Sequence, residues 1–203
     1  MKSIAIVGAG SSGLITLKYV LDAFPNAQIV CFEKGSSVRG AWGNMGDSFV
    51  STSSKYATQF RCFQQYDAQL DPHNQYGEYY RGDEFGRYLD RFADEFSLRK
   101  YISFETELVH LTLTHQTWCL TLRRDGRETV AEFDGVFLCT GLVRKRREIA
   151  IDDGGPAIRY DVDAIQNQRV MIVGGGESAV DMANQLAEES RNNTVYLSLR
   201  SGV

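Results

Sequence analysis

Gly8-Ala9-Gly10-Ser11-Ser12-Gly13 is the first run in the chain whose residue types and spacing could do chemistry. A G-x-G-x-x-G turn between a strand and a helix turns backbone N–H groups and the positive end of a helix dipole toward a pyrophosphate. Gly8 allows the tight turn, Gly10 lets the backbone approach the phosphates, and Gly13 lets the helix pack close to the sheet. Glu33 stands 20 residues beyond Gly13, at the end of the next apolar run, where a carboxylate can accept from a pair of ribose hydroxyls. A second turn, Gly174-Gly175-Gly176-Glu177-Ser178-Ala179, has the accepted G-x-G-x-x-A form and begins 166 residues after the first. The strand that follows it carries no acid and runs out at Ser198-Leu199-Arg200, with Arg200 21 residues past Ala179. Arginine there suits a 2′-phosphate, and without a carboxylate that phosphate meets no repulsion, so this turn reads as NADPH rather than NADH. One glycine turn alone is weak evidence and one surface arginine weaker; two turns, each in its own strand–helix–strand setting, are far more specific.

Those settings are legible in the apolar spacing. Residues 3–7 are a short apolar run of strand length, and residues 12–24 bring Leu14, Leu17, Leu21 and Phe24 to helical spacing before Pro25-Asn26 stops them. Residues 28–33 are a second strand, which completes a βαβ unit. Residues 34–80 show little regular pattern, and a stretch of that length in a compact domain is functional or hides short elements. Residues 82–98 are the clearest amphipathic helix, with Phe85, Tyr88, Leu89, Phe92 and Phe96 on one face. A short strand is expected at 101–104, then alternating runs at 106–113, 117–124 and 128–133, the last two joined at Asp125-Gly126. Residues 135–140 are a further buried strand closed by Gly141. Arg144–Arg147 reads as a basic solvated loop and Asp152–Pro156 as a linker or turn. A strand at 169–173, a helix at 177–189 (Ala179, Val180, Met182, Ala183, Leu186 and Ala187 on its apolar side) and a strand at 194–199 make the second βαβ unit.

The 203 residues suffice for one large domain or one and a half small ones, and 43% hydrophobic residues supply a core. A net charge of −4 gives no reason to expect nucleic acid or a membrane surface, and no apolar run approaches the ~20 residues a membrane helix needs. The N-terminus runs straight into the first glycine turn with no signal-peptide pattern, so a cytoplasmic protein is expected. Cys31, Cys62, Cys119 and Cys139 form no CxxC and no metal-ligand spacing; Cys31 and Cys139 sit in strand-like runs and are expected to be buried thiols.

The chain resembles the flavin-containing monooxygenases of the bacterial type. The resemblance is carried by Ile4–Leu14, by Gly40-Ala41-Trp42, by the Ser/Thr-rich Ser51–Lys55, by Glu84–Ala93 with Phe104–Val109, by Leu138–Gly141 and by Val173–Ala179. It implies a Rossmann-like FAD-binding domain at 1–165, a parallel sheet plus β-meander, and the start of a second Rossmann-like NADPH-binding domain at 166–203. It further implies FAD on Gly8, Gly10, Ser12, Gly13 and Glu33. Ala41 and Trp42 would lie along the FAD, Val109 would offer backbone to the adenine, and Thr140 and Gly141 would end a core strand near the cofactor. Thr52 and Lys55 would neighbour the flavin or the nicotinamide, and Gly174, Gly176, Ser178 and Arg200 would take NADPH. The implied reaction is oxygenation by O2, through a flavin C4a-hydroperoxide, of a small molecule with a soft nitrogen or sulfur, or next to a ketone carbonyl.

The chain also departs from that family. Residues 142–168 contain no His for the family's F-x-G-x-x-x-H signature, Thr52 stands where many members have Asn, and Glu177 where Asn is frequent. Members run considerably longer, so a truncated or partial form is expected, with a sheet edge left unpaired through which copies could associate. Two alternatives follow: an FAD- or nucleotide-binding fragment without turnover, and a flavin-dependent NAD(P)H oxidoreductase that does not oxygenate. The absence of CxxC after the first βαβ unit speaks against the disulfide-reductase class.

Overall fold

A continuous apolar strand needs cover on both faces, and β1 (Ser3–Val7) obtains it. The computed structural model describes residues 2–43, 45–46, 49–67, 77–141, 162 and 164–200. β1 lies inside a four-stranded sheet of order β5-β2-β1-β9, formed with β2 (Gln28–Phe32), β5 (Ile102–Ser103) and β9 (Gly135–Leu138); every pairing in it is parallel. Ile4, Ile6 and Cys31 face the side covered by helix α1 (Ser11–Ala23), which buries Gly13, Leu14, Leu17 and Val20. Ala5, Val7 and Phe32 face the other side, where an antiparallel meander brings Leu120, Leu122 and Phe133.

Between β2 and β5 the chain builds a small layer. β3 (Val50–Ser54) pairs antiparallel with β4 (Tyr79–Arg81), and α2 (Lys55–Thr58) is a single helical turn whose Ser54 cap accepts from the Ala57 N–H at 3.3 Å. Helix α3 (Glu84–Glu95) then buries Phe85, Tyr88, Leu89 and Phe92. It is shorter than the apolar pattern suggests because Ser97 turns left-handed (φ 50°), and a 3-10 turn, Leu98–Tyr101, takes over. The meander consists of β6 (Glu107–Thr114), β7 (Thr117–Arg124) and β8 (Arg127–Phe133); Asp125-Gly126 joins the last two with both φ positive, as a tight hairpin requires.

The chain divides into two compact units, Met1–Arg146 and Arg147–Val203. The stretch 142–161, with the Arg144–Arg147 run and the Asp152–Pro156 turn, lies outside the described residues. The second unit contains β10 (Arg169–Val173), α4 (Glu177–Leu186) and β11 (Thr194–Ser198), with β10 and β11 paired in parallel. α4 ends at Leu186, short of the expected 189, and the chain makes a 3-10 turn at Glu189–Arg191. Of its apolar side only Leu186 is buried; Val180 is exposed, as are Met171 and Val173 on β10. Among the described residues no helix is long and apolar enough to cross a membrane.

Cys31 is buried as expected, and its Sγ donates to the Gly8 carbonyl at 3.6 Å. Cys139 is only half-buried, because it follows β9, the outermost strand on that side of the sheet among the described residues, and its Sγ reaches Thr16 Oγ1 at 3.7 Å.

Two tyrosines of the aromatic core make a matched pair for experiment. Tyr88 Oη accepts from the Phe60 N–H at 2.6 Å and donates to the Phe63 carbonyl at 2.9 Å. Burial pushes its phenol up to about 12, so it stays protonated throughout the neutral range. Tyr80 is 1% exposed and its Oη has no hydrogen-bond partner among the described residues. Tyr88→Phe orphans a backbone N–H and a carbonyl and should cost about 1–3 kcal/mol, while Tyr80→Phe should be neutral or stabilising by up to ~1 kcal/mol. Urea melts of both variants test this, and equal losses would contradict it.

Candidate functional site

The C-terminal ends of β1, β2 and β9 gather the first glycine turn and its neighbours at one edge of the sheet, where open parallel sheets bind ligands. Gly8 has φ +95°, and a Cβ there would run into the Cys139 carbonyl and come within 3.5 Å of Thr140 Cα. A Cβ on Gly13 would overlap the Gly8 carbonyl oxygen, so α1 can lie this close to the turn only with glycine. Gly10 is the N-cap of α1, with no side chain capping the helix and no acid in its first turn. The first turn of α1 thus carries no acid of its own, and Ser12 within it is exposed.

Glu33 leaves β2 toward this turn. Its Oε2 accepts from the Ala9 N–H at 2.6 Å and its Oε1 from the Gly35 N–H at 2.7 Å. Each carboxylate oxygen keeps a second lone pair, so Glu33 can hold the glycine turn in place and still accept from two ribose hydroxyls. The Gly40–Trp42 turn crosses the same place: a Cβ on Gly40 would come within 3.0 Å of Gly10 Cα. Ala41 is exposed on this turn, and Trp42 is half-buried with its ring edge-on to Phe85 at 4.9 Å. Cys139, Thr140 and Gly141 follow β9; Cys139 and Thr140 pass beside Gly8, and Gly141 has φ +82°.

Three other expected site residues stand on β3, β6 and α2. Thr52 is exposed on β3. Val109 is 40% exposed and sits where the register of β6 against β7 slips between Leu108 and His110. That bulge leaves one residue out of the ladder, as strands do where they release backbone for another purpose. Lys55 is turned inward. It is 1% exposed, its Nζ lies 3.0 Å from Glu84 Oε2, and it stands over the rings of Tyr66 and Tyr80 at 5.4 and 5.7 Å.

In the second unit Gly174 has φ +126°, and its N–H donates to the Ser198 carbonyl at 2.9 Å. Gly175 packs so tightly on Leu199 that a Cβ there would come within 2.5 Å of its Cδ2. These contacts tie the end of β11, and with it the exposed Arg200, to the glycine turn. Gly176 caps α4 with no side-chain cap of its own, and Ser178 is exposed in the first turn. Glu177, in the same turn, has the wrong sign for a phosphate.

The family model described as flavin-binding monooxygenase-like matches residues 1–203. The chain belongs to the flavin-binding monooxygenase-like family. It is 27% identical to dimethylaniline monooxygenase [N-oxide-forming] 4 of Oryctolagus cuniculus, over 99% of this chain and 39% of that protein. Among solved structures it resembles the S-allyl-L-cysteine S-oxygenase of Allium sativum, at 22% identity and TM-score 0.79 over 100% of this chain and 52% of that one. It also resembles OTEMO in complex with FAD and NADP (form 1), at 21% identity and TM-score 0.72 over 97% and 38%. The chain thus spans about two fifths of the length of the curated relatives it matches.

Two residues at this family member's first site were not singled out from sequence. Arg39 reaches from the Gly40 turn to two aspartates of α3, and Gly86 sits inside α3 directly beneath Trp42. The signal for Gly86 was present: a glycine in the middle of an amphipathic helix weakens it and usually has a packing reason.

Proposed function

We propose that this chain carries the FAD cradle and the first NADPH-binding unit of a monooxygenase. Its substrate would be a small molecule with a soft nitrogen or sulfur, or a ketone, oxygenated by O2. The observation that carries the reading is the first cradle itself. An uncapped helix end, two glycines that admit no Cβ, and a carboxylate already tied to the turn fit a flavin dinucleotide at its diphosphate and ribose. Bound there, FAD would supply the two-electron redox chemistry and the reactivity toward O2 that no side chain possesses.

The chain's own residues bind and orient. Gly10, Ser12 and Gly13 present the helix end to the diphosphate, and Glu33 fixes the adenosine ribose. Ala41 and Trp42 border the cofactor from the turn above Gly10, Thr140 and Gly141 close the cradle beside Gly8, and the bulged backbone at Val109 is offered to the adenine. Thr52 borders the flavin from β3. Lys55, paired with Glu84, acts from beneath this layer by holding β3 and α2 against α3. In the second unit Gly174, Gly176 and Ser178 take the NADPH diphosphate against the opposing charge of Glu177, and Arg200 takes the 2′-phosphate. Cys31, Cys62, Cys119 and Cys139 are all free thiols, which suits a reducing, cytoplasmic setting.

The test is direct. The chain is saturated with FAD, freed of excess, and its visible spectrum recorded; NADPH is then added in air. Retained flavin that bleaches and recovers is expected. Retained flavin that NADPH does not bleach would leave a nucleotide-binding module, and loss of flavin on the column would overturn the FAD assignment.

A further inference from the structure

The Gly40–Trp42 turn belongs to neither a long helix nor a sheet. Its backbone hydrogen bonds are local: Trp42 N–H to the Arg39 carbonyl at 3.0 Å and Gly43 N–H to the Gly40 carbonyl at 3.4 Å. Yet it must keep its place over Gly10, where the two backbones approach as closely as two glycines allow. What holds it is α3. Arg39 Nε donates to Asp90 Oδ2 at 2.7 Å and its Nη1 to Asp83 Oδ2 at 3.0 Å. Asp83, Gly86 and Asp90 follow at spacings of three and four, so they share one face of the helix. A Cβ on Gly86 would come within 2.8 Å of the Trp42 carbonyl and 2.9 Å of Arg39 Cδ, so the turn lies flat on that face. The Trp42 ring closes the contact on Phe85.

We propose that Arg39, bridging Asp83 and Asp90 over Gly86, is a positioning residue that fixes the Gly40–Trp42 turn against the FAD cradle. The proposal rests on the FAD reading above for its consequence, though not for the clamp itself. Arg39 is suited to the task because its planar fork meets two carboxylates at once, which a lysine ammonium on a flexible stem does less well. The carboxylates are also independently held. Asp83 pairs with Arg87, and Asp90 pairs with Arg99 at 2.9 Å. Removing Arg39 therefore leaves neither aspartate as an uncompensated charge, and the loss falls on the turn rather than on α3.

The experiment compares Arg39→Gln, Gly86→Ala and Arg99→Gln in the 203-residue chain, in a Trp118→Phe background so that Trp42 is the sole indole. Arg99→Gln is the control, since it removes a guanidinium from Asp90 and Asp94 without touching the turn. Gly86→Ala raises intrinsic helix propensity while pushing the turn away, so it separates helix stability from turn position. Two readouts are taken: acrylamide quenching of Trp42 without cofactor, and FAD affinity from the loss of flavin fluorescence. Arg39→Gln and Gly86→Ala should each expose Trp42 to quencher and weaken FAD about tenfold, with Arg99→Gln within about twofold of the parent. Unchanged quenching and affinity in the first two, or an equal loss in Arg99→Gln, would overturn the proposal. If the parent chain retains no FAD, the cofactor reading fails, and the Trp42 signal still decides whether Arg39 holds the turn.

Discussion

Replacing Gly13 with alanine is expected to abolish FAD retention and to destabilise the first unit by about 3–5 kcal/mol, at the upper end of what a single substitution does. The new methyl group would occupy the position of the Gly8 carbonyl oxygen and approach the Gly8 carbonyl carbon to 2.8 Å. Both obstacles are backbone, and that backbone cannot yield cheaply. Gly8 already sits at φ +95° against the Cys139 carbonyl, its N–H is bonded to the Phe32 carbonyl at 2.8 Å, and its own carbonyl accepts from the buried Cys31 thiol. Relief would come only from lifting the start of α1 off the sheet, which opens the core around Leu14 and Leu17 and moves the helix end away from the diphosphate. Gly135→Ala is the control. Its Cβ would meet nothing nearer than Ile4 Cγ1 at 4.0 Å, and it should stay within about 1 kcal/mol of wild type. Urea melts and flavin fluorescence measure both effects, and a Gly13→Ala chain that holds FAD as tightly as the parent would refute the geometry of the cradle.

Much of that cradle was legible because its parts are close in sequence and periodic. β1, α1 and β2 follow from an apolar run, a helical spacing and a second apolar run, and Glu33 is found by counting from Gly13. The meander followed from alternation and from Asp125-Gly126, whose residues accept positive φ. The 34–80 segment was opaque for physical reasons. β3 is Val-Ser-Thr-Ser-Ser, with no apolar alternation to betray it, and α2 is a single turn nucleated by Ser54. What fixes these pieces is tertiary: Lys55 reaches Glu84, and Arg39 reaches Asp83 and Asp90, across dozens of residues. Lys55 shows what such contacts add to a reading: its place in a Ser/Thr-rich stretch does not disclose that its ammonium lies 3.0 Å from Glu84 and over two tyrosine faces. Cys139 differs in a smaller way, because an apolar run does not reveal whether its strand lies at the centre or the edge of a sheet.

Reversing the charge at Arg200 should cost NADPH about 100-fold in affinity while leaving NADH within about threefold, so Arg200→Asp would reverse the cofactor preference of the second unit. The role proposed for the residue is that of a discriminator and not of a general anchor. β11 is tied to the glycine turn by the Gly174 N–H to Ser198 carbonyl bond and by Leu199 packed on Gly175, so Arg200 leaves the strand where the adenosine ribose of a bound dinucleotide would lie. It is exposed, and β11 ends without a carboxylate to compete for it. Two unit charges about 4 Å apart are worth roughly 1 kcal/mol in bulk water and about 4 kcal/mol near a protein surface. Trading an attraction for a repulsion at the 2′-phosphate therefore accounts for the ~2.7 kcal/mol that 100-fold requires. NADH has hydroxyls there, which an aspartate accepts from, as Glu33 is proposed to do in the first unit. Titration of both nucleotides into wild type and variant at two salt concentrations tests the assignment, because the NADPH advantage of the wild type should shrink as salt screens the pair. Equal loss of both nucleotides would make Arg200 a structural residue of the turn, and no loss of either would place the 2′-phosphate elsewhere.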